Sequence, residues 1–151
     1  MKVYLASAYQ TRDVLRRYDS ELTFVGMTCT ARWLREETKI DAGTVGAATA
    51  LDDKAVRRHV LDDFEDVNAA DVLVLFTHSV TGEQGGGGRH IETGYALAKG
   101  KRVIVIGTPE NVFHRGAPLC TVVPNWHEAL LQLVQWRNLD EFDMPRVTAT
   151  P

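Results

Sequence analysis

Residues 71–107 read DVLVLFTHSVTGEQGGGGRHIETGYALAKGKRVIVIG, and they contain the clearest secondary-structure pattern in the chain. It opens and closes with apolar runs, VLVLF at 72–76 and RVIVI at 102–106, which lack the alternation of a strand with one face in water. Between them lie a glycine-rich loop and a helical segment over 89–99, which Gly100 ends. The stretch predicts two buried parallel strands joined by a crossover helix.

The same alternation extends along the rest of the chain. Upstream, the sequence predicts a strand over 2–6, a helix with apolar positions at Val14, Leu15, Tyr18 and Leu22, a strand over 24–30, a loop over 34–50 and a helix over 52–69. Downstream, it predicts a loop over 107–118, a strand near 121–123 and a helix from 126 to about 137. We therefore expect one doubly wound, mostly parallel five-stranded sheet with helices on both faces (Rossmann or flavodoxin-like) over residues 1–137, followed by a loose tail over 138–151.

The composition limits the classes of partner that we expect this domain to bind. The 151 residues carry a net charge of −3, which argues against a broad basic face for a nucleic acid polymer or an anionic membrane. The longest apolar run, at 72–76, is far short of the ~20 residues of a membrane helix. Cys29 and Cys120 lie far apart without a CxxC pattern, as expected of reduced thiols in a cytoplasmic protein.

Glycine is concentrated at one place in the sequence. Five of the 12 glycines fall within residues 82–88, and a packed core gains nothing from so much backbone freedom. We expect the ligand there, because glycines allow close backbone approach and the following helix presents its positive N-terminal end. Familiar cofactor patterns are missing: the first βα turn has no GxGxxG, the GK at 100–101 lacks Walker A spacing, and HxE at 90–92 lacks a PCxxC partner. No redox cofactor and no metal is predicted.

Glu92 and Asp63 are the predicted catalytic carboxylates. Glu92 lies in the first turn after the glycines, where the helix dipole and Arg89 are expected to keep it ionised, as a nucleophile requires. The alternative is that Glu92 merely caps the helix. Within the acidic run LDDFEDVNAAD, Asp63 is expected to border the pocket, whereas Asp66 is expected at the surface and Asp71 as a structural cap. Two carboxylates flanking a sugar carbon suit glycosyl transfer.

Three segments carry a resemblance to a known family. VYLASAY at 3–9, DFEDVNAADVLVLF at 63–76 and GGRHIETGYALAKGKRVIVIG at 87–107 are similar to segments of the nucleoside 2-deoxyribosyltransferase superfamily, including its nucleotide N-glycosidase branch. The resemblance covers roughly Lys2 to His114. It implies cleavage of the N-glycosidic bond of 2′-deoxynucleosides or their 5′-monophosphates, with a nucleoside or nucleotide and a free nucleobase as the ligands.

The resemblance also implies roles for individual residues. Glu92 would form a deoxyribosyl-enzyme intermediate, Asp63 would assist departure of the base, and Tyr4 would orient the nucleophile. The predicted substrate-binding residues are Ser7, Tyr9, Arg12, Trp33, Ser79, Gly86, Gly87, Gly88, Arg89, His90, Asn111 and His114. Packing in the core is an equally good alternative role for Trp33, and turn formation is the alternative role for Asn111.

Several alternatives remain open in the sequence. The loop before the glycines, HSVTGEQGGGG, has only Glu83 as an acidic residue, where the transferases carry an Asp that contacts the base. A phosphate could be held by Ser79, Thr81, Arg89 and His90. Transfer of the sugar to another base is the leading expectation, and the alternatives are hydrolysis by a nucleotide 5′-monophosphate N-glycosidase and a non-catalytic nucleotide-binding module. The resemblance further implies a homodimer or larger assembly, with Asn111 and His114 reaching across the subunit interface.

Overall fold

The computed structural model describes residues 1–35, 53–77 and 87–143. Its strands form a single parallel sheet of five strands in the order β2-β1-β3-β4-β5. The strands are β1 (Lys2–Ala6), β2 (Thr28–Cys29), β3 (Val72–Phe76), β4 (Arg102–Ile106) and β5 (Cys120–Val123). The helices are α1 (Arg12–Phe24), α2 (Asp53–Ala69), α3 (Gly88–Ala98), α4 (Val112–Gly116) and α5 (Trp126–Asp143), with 3₁₀ turns at Tyr9–Thr11 and Arg32–Arg35. The predicted doubly wound fold is confirmed.

The two central strands are buried along their whole apolar length. Val72–Phe76 is buried at every position, and only Arg102 of β4 is partly exposed. The two strands pair in register from Val72 opposite Arg102 to Phe76 opposite Ile106. Helices cover both faces of this sheet, so neither face of a central strand meets water, and this explains the run of apolar residues.

Successive side chains of a strand point to opposite faces, and this separates the helices into two layers. Phe76 lies on the face of α1 and α5, where its ring is 5.6 Å from Tyr18 and 6.0 Å from Trp126. Tyr4 lies on the opposite face, where it contacts Asp63 of α2 and Glu92 of α3. The carboxyl ends of the strands meet at one edge, and the first turns of α2 and α3 lie beside it.

Helix α2 is longer than the sheet it covers. Its 17 residues span about 25 Å, whereas a five-residue strand spans about 17 Å. The predicted apolar stripe of α2 is therefore buried only in its second half, at Val67, while Val56 and Val60 are 37% and 47% exposed. The first half of α2 extends past the carboxyl edge of the sheet.

Three predicted boundaries are wrong. The strand expected over 24–30 contains only Thr28–Cys29, because α1 runs to Phe24 and the chain turns at Gly26, whose φ is +76°. The loop expected over 107–118 contains α4, which Asn111 caps. Helix α5 continues past its expected end at about 137 to Asp143. Arg102 donates two hydrogen bonds to the carboxylate of Asp140 in this extension, at 2.7 and 2.8 Å. Residues 144–151 of the expected tail and most of the loop expected over 34–50 lie outside the described residues.

Asp66 is buried, which corrects the expectation that it lies at the surface. Its carboxylate accepts hydrogen bonds from the backbone N–H of Arg32 at 2.8 Å and from the Arg32 Nε at 2.6 Å. Burial raises the pKa of Asp66, and the hydrogen bonds from Arg32 oppose this effect. This pair attaches the 3₁₀ turn after β2 to α2. Asp71 accepts a hydrogen bond from the Lys2 N–H at 2.6 Å, in agreement with a structural role at the strand entrance.

None of the helices within the described ranges is long and apolar enough to cross a membrane. Cys29 and Cys120 are both free thiols, the first buried and the second partly so.

Candidate active site

The structure brings together the three residues predicted to be catalytic. Tyr4 projects from β1 between α2 and α3, and its hydroxyl lies 3.5 Å from Oδ1 of Asp63. The same phenol hydrogen-bonds the carboxyl group of Glu92. The Tyr4 ring is fully buried, whereas Asp63 and Glu92 are half-buried. A tyrosine fixed in the sheet thus links two carboxyl groups from neighbouring helices.

The electrostatics of this group favour a shared proton. Burial and the negative charge of Asp63 raise the pKa of Glu92 to about 8, although the hydrogen bond from Tyr4 opposes the shift. Burial and the two neighbouring carboxylates also raise the pKa of Tyr4, well above its ordinary value. At neutral pH the two carboxyl groups therefore share one proton.

The raised pKa of Glu92 contradicts the expectation that Arg89 and the helix dipole keep this carboxyl group ionised, and Arg89 is paired with another residue. Its Nη2 donates to Oε1 of Glu110 at 2.8 Å, and only 9% of the arginine is exposed. The other oxygen of Glu110 lies 3.2 Å from Nε2 of His90. Glu110 thus faces both basic side chains of the first turn of α3, on the side that meets the β4–α4 loop.

Glu110 is the residue of this region that the sequence did not single out. The available signal was its place in the segment after β4, one of the loops at the carboxyl edge of the sheet. Nε of Arg89 and Nδ1 of His90 are buried and have no hydrogen-bond partner among the described residues. The first turn of α3 therefore still offers hydrogen-bonding nitrogens beside its glycines.

Asn111 and His114, which are predicted to reach across a subunit interface, form hydrogen bonds within their own chain. The Asn111 Oδ1 accepts the backbone N–H groups of Phe113 and His114 at 3.0 and 3.2 Å, as an N-cap of α4. His114 is 1% exposed, and its Nδ1 accepts the backbone N–H of Glu110 at 3.2 Å. Burial lowers the pKa of His114. Both side chains hold the β4–α4 loop in shape.

The substrate residues predicted after β1 form a separate cluster at the carboxyl edge. The guanidinium of Arg12 lies over the Tyr9 ring at 4.8 Å and hydrogen-bonds its hydroxyl. The Tyr9 ring is 6.5 Å from that of Trp33, whose Nε1 donates to the Leu5 carbonyl at 3.0 Å. Trp33 packs against the core, in agreement with its role as core filler, and its half-buried ring also borders the edge. The Thr11 hydroxyl donates to the Ala8 carbonyl at 2.7 Å, and its oxygen accepts a hydrogen bond from the Ser7 hydroxyl at 2.7 Å.

The glycine segment is described only at its end. Gly87 and Gly88 are exposed at the start of α3, and a side chain added at either would meet open space. Ser79, Thr81, Glu83 and Gly86 lie outside the described residues. Among the described parts of the chain, no group of three His, Cys, Asp or Glu side chains is arranged to hold a metal ion.

The fold and the three-residue group define a parallel α/β protein with a half-buried carboxyl pair at the carboxyl edge of its sheet. No protein-family model matches the chain, and no curated protein does. Solved structures do share the fold. A CMP N-glycosidase of Clostridium botulinum has a TM-score of 0.55 at 18% identity, over 89% of this chain and 99% of that one.

A 2-deoxyribosyltransferase from the psychrotolerant bacterium Bacillus psychrosaccharolyticus has a TM-score of 0.63 at 17% identity. The match covers 85% of this chain and 90% of that one. The resemblance expected from the sequence is confirmed at the level of the fold.

Proposed function

We propose that this chain cleaves the N-glycosidic bond of a 2′-deoxynucleoside or its 5′-monophosphate and passes the deoxyribosyl group to another base. The observation that carries the proposal is the link that Tyr4 makes between Asp63 and Glu92. Two structures with this fold are named for chemistry at a nucleoside or nucleotide, one as a transferase and one as an N-glycosidase.

The shared proton supplies what this reaction needs. Glu92 transfers its proton through the Tyr4 hydroxyl to Asp63, and the Glu92 carboxylate then attacks C1′ of the sugar. As the new O–C1′ bond forms and the C1′–N bond breaks, Asp63 gives the proton to the departing nitrogen. The base leaves neutral, Glu92 becomes a neutral ester, and Asp63 regains its negative charge. The total charge of the pair and the substrate is unchanged.

The half-buried position of Glu92 suits the positive charge that develops on the sugar. The transition state resembles an oxocarbenium ion, and a carboxylate at C1′ stabilises it more strongly where water is partly excluded. The exposed apolar side chains Val56 and Val60 lie on the first half of α2, and Val60 is one helical turn before Asp63. They offer an apolar wall for the leaving base.

Hydrolysis of a 5′-monophosphate is the second candidate function. It is favoured by the first turn of α3, where Arg89 and His90 have buried nitrogens without a partner among the described residues. A 5′-phosphate at this turn would gain the helix dipole and hydrogen bonds to charged groups. Hydrolysis differs from transfer only in that water reaches the intermediate instead of a base.

One incubation series separates these functions. Deoxynucleosides and their 5′-monophosphates are mixed with the protein, with and without a second free base, and products are separated by chromatography. Exchange of the base supports transfer, and release of free base without exchange supports hydrolysis. Glu92→Gln should lower either activity at least about 10³-fold. Tight binding of a nucleotide without any turnover by the unmodified protein would support the non-catalytic binding module instead.

We also propose that the chain forms a homodimer through the surface of α3 and α4. A groove of about 430 Å³ lies there, lined by His90, Gly94, Leu97 and Phe113 among others. Ile91, Val112 and Phe113 are 63%, 76% and 68% exposed beside it. Contiguous exposed apolar side chains of this kind favour association. Sedimentation should show a dimer, and Phe113→Asp should shift it to the monomer.

A further inference from the structure

A second cavity lies at the same edge of the sheet as Glu92 but on the opposite face. It has a volume of about 220 Å³, and its floor is formed by Phe76 and Ile106, the last residues of β3 and β4. The first half of α1 forms one wall, and the turn from β5 to α5 forms the other. Ligands of parallel α/β sheets bind beyond the carboxyl ends of the strands, which is where this cavity opens.

The lining of the cavity suits a flat, neutral ligand. Tyr18 and Trp126 stack with their ring centroids 4.4 Å apart, and Phe76 lies against both rings. Among the described residues that line the cavity, none carries a charged side chain. An anion or cation would lose its hydration without gaining a partner, so a phosphorylated ligand is disfavoured. Aromatic walls instead favour a planar ring.

The polar groups at the cavity include a hydrogen-bond acceptor and a hydrogen-bond donor. The Thr11 hydroxyl donates its one proton to the Ala8 carbonyl at 2.7 Å. The Ser7 hydroxyl, 2.7 Å from the Thr11 oxygen, therefore donates to Thr11, and the Ser7 oxygen can accept a hydrogen bond from the cavity. The Asn125 Oδ1 accepts the backbone N–H of Glu128 at 3.0 Å, which leaves the NH₂ group of Asn125 to donate. A matching ligand therefore carries an acceptor atom for Asn125 and an N–H donor for Ser7.

We propose that this cavity binds a free nucleobase, a neutral planar heterocycle with both acceptor atoms and N–H donors at its edge. An apolar cavity of ~150 Å³ holds a benzene ring, so the volume here admits a larger heterocycle. The choice of a base rests on the proposed function, which releases and consumes one. The site is separate from the Glu92 group, because the sheet lies between them.

Calorimetric titration with adenine, cytosine and indole tests the proposal. Val14→Phe places a ring inside the cavity, and Asn125→Asp keeps the cap on α5 while removing the NH₂ donor. Arg17→Phe adds the same ring on the exposed face of α1 as a control. We expect each of the first two variants to weaken binding of adenine or cytosine at least tenfold, whereas Arg17→Phe, Glu92→Gln and Asp63→Asn leave this binding unchanged.

Three outcomes would overturn the proposal: no base binds at millimolar concentration, Asp63→Asn abolishes binding while Val14→Phe retains it, or indole binds as tightly as adenine. If Val14→Phe does not fold, the binding of adenine and cytosine to Asn125→Asp still tests the proposal. The assay is independent of turnover. If no deoxynucleoside releases a base but Val14→Phe and Asn125→Asp still weaken base binding, the proposed function fails and this site remains.

Discussion

The Tyr4 hydroxyl lies 3.5 Å from Oδ1 of Asp63 while the same phenol hydrogen-bonds Glu92. A phenol has a single proton, so it can donate to only one carboxylate at a time. When Glu92 is protonated, it can donate to the phenol oxygen while the phenol donates to Asp63. The three side chains then form a continuous path along which one proton can move.

The first prediction concerns the titration of Glu92 in two variants. Tyr4→Phe removes a hydrogen bond that lowers the pKa of Glu92, so this pKa should rise above about 8. Asp63→Asn removes a negative charge that raises it, so it should fall. The NMR chemical shift of the Glu92 carboxyl carbon, followed as a function of pH, measures this pKa in both variants. If the pKa of Glu92 changed in the same direction in the two variants, the arrangement would be contradicted.

The second prediction concerns activity. The proposed reaction needs one proton on the Asp63–Glu92 pair, and this proton is lost as the pH rises through about 8. We expect kcat/KM for base release to fall above that pH, by about tenfold per pH unit. A rate that instead rises through pH 8 would mean that Glu92 must be ionised before substrate binds.

The third prediction concerns stability. The pKa of Glu92 is raised from 4.5 to about 8 in the folded chain, so between these values the folded state holds a proton that the unfolded state has released. The free energy of unfolding should therefore fall as pH rises from 5 to 8 and level off above. Glu92→Gln should remove this part of the pH dependence. Urea denaturation at pH 5, 7 and 9 measures the free energy of unfolding of the unmodified chain and of Glu92→Gln. The same pH dependence in both proteins would contradict the prediction.

The local pattern of apolar residues was sufficient to predict the central strands β3 and β4, but it was not sufficient to predict the edge strand β2. The runs at 72–76 and 102–106 are apolar throughout because helices cover both faces, and this property is visible in the sequence. Strand β2 has two residues, set by the turn at Gly26 and by pairing with β1 across the fold. Apolar periodicity contains no information on such pairing.

The sequence predicted that Tyr4, Asp63 and Glu92 lie together, but it did not predict the raised pKa of Glu92. Tyr4, Asp63 and Glu92 converge as expected from the segments that carry them. The pKa of Glu92 depends on the burial of its carboxyl group and on the negative charge of Asp63 on the neighbouring helix. Both are through-space relations that sequence spacing does not show.

The fourth prediction compares two carboxylates on the same arginine. Asp66→Ala removes the buried partner of Arg32 and two hydrogen bonds, and should lower the free energy of unfolding by about 2 kcal/mol. Glu65→Ala removes an exposed partner at 2.6 Å and should cost less than about 1 kcal/mol. Urea denaturation measures both, and equal losses would mean that burial of Asp66 contributes nothing.

The last prediction tests whether a 5′-phosphate lies at the first turn of α3. Glu110 places a negative charge against Arg89 and His90, at 2.8 and 3.2 Å, and a phosphate there must compete with it. Glu110→Gln keeps the shape of this side chain and removes the charge. The ratio of kcat/KM for deoxycytidine 5′-monophosphate to that for deoxycytidine should rise about tenfold, which corresponds to about 1.4 kcal/mol. Glu65→Gln, at a distant ion pair, is the matched control and should leave the ratio unchanged. If Glu110→Gln also leaves the ratio unchanged, the phosphate does not bind at this turn, and the pairing of Glu110 serves only to hold α3 against the β4–α4 loop.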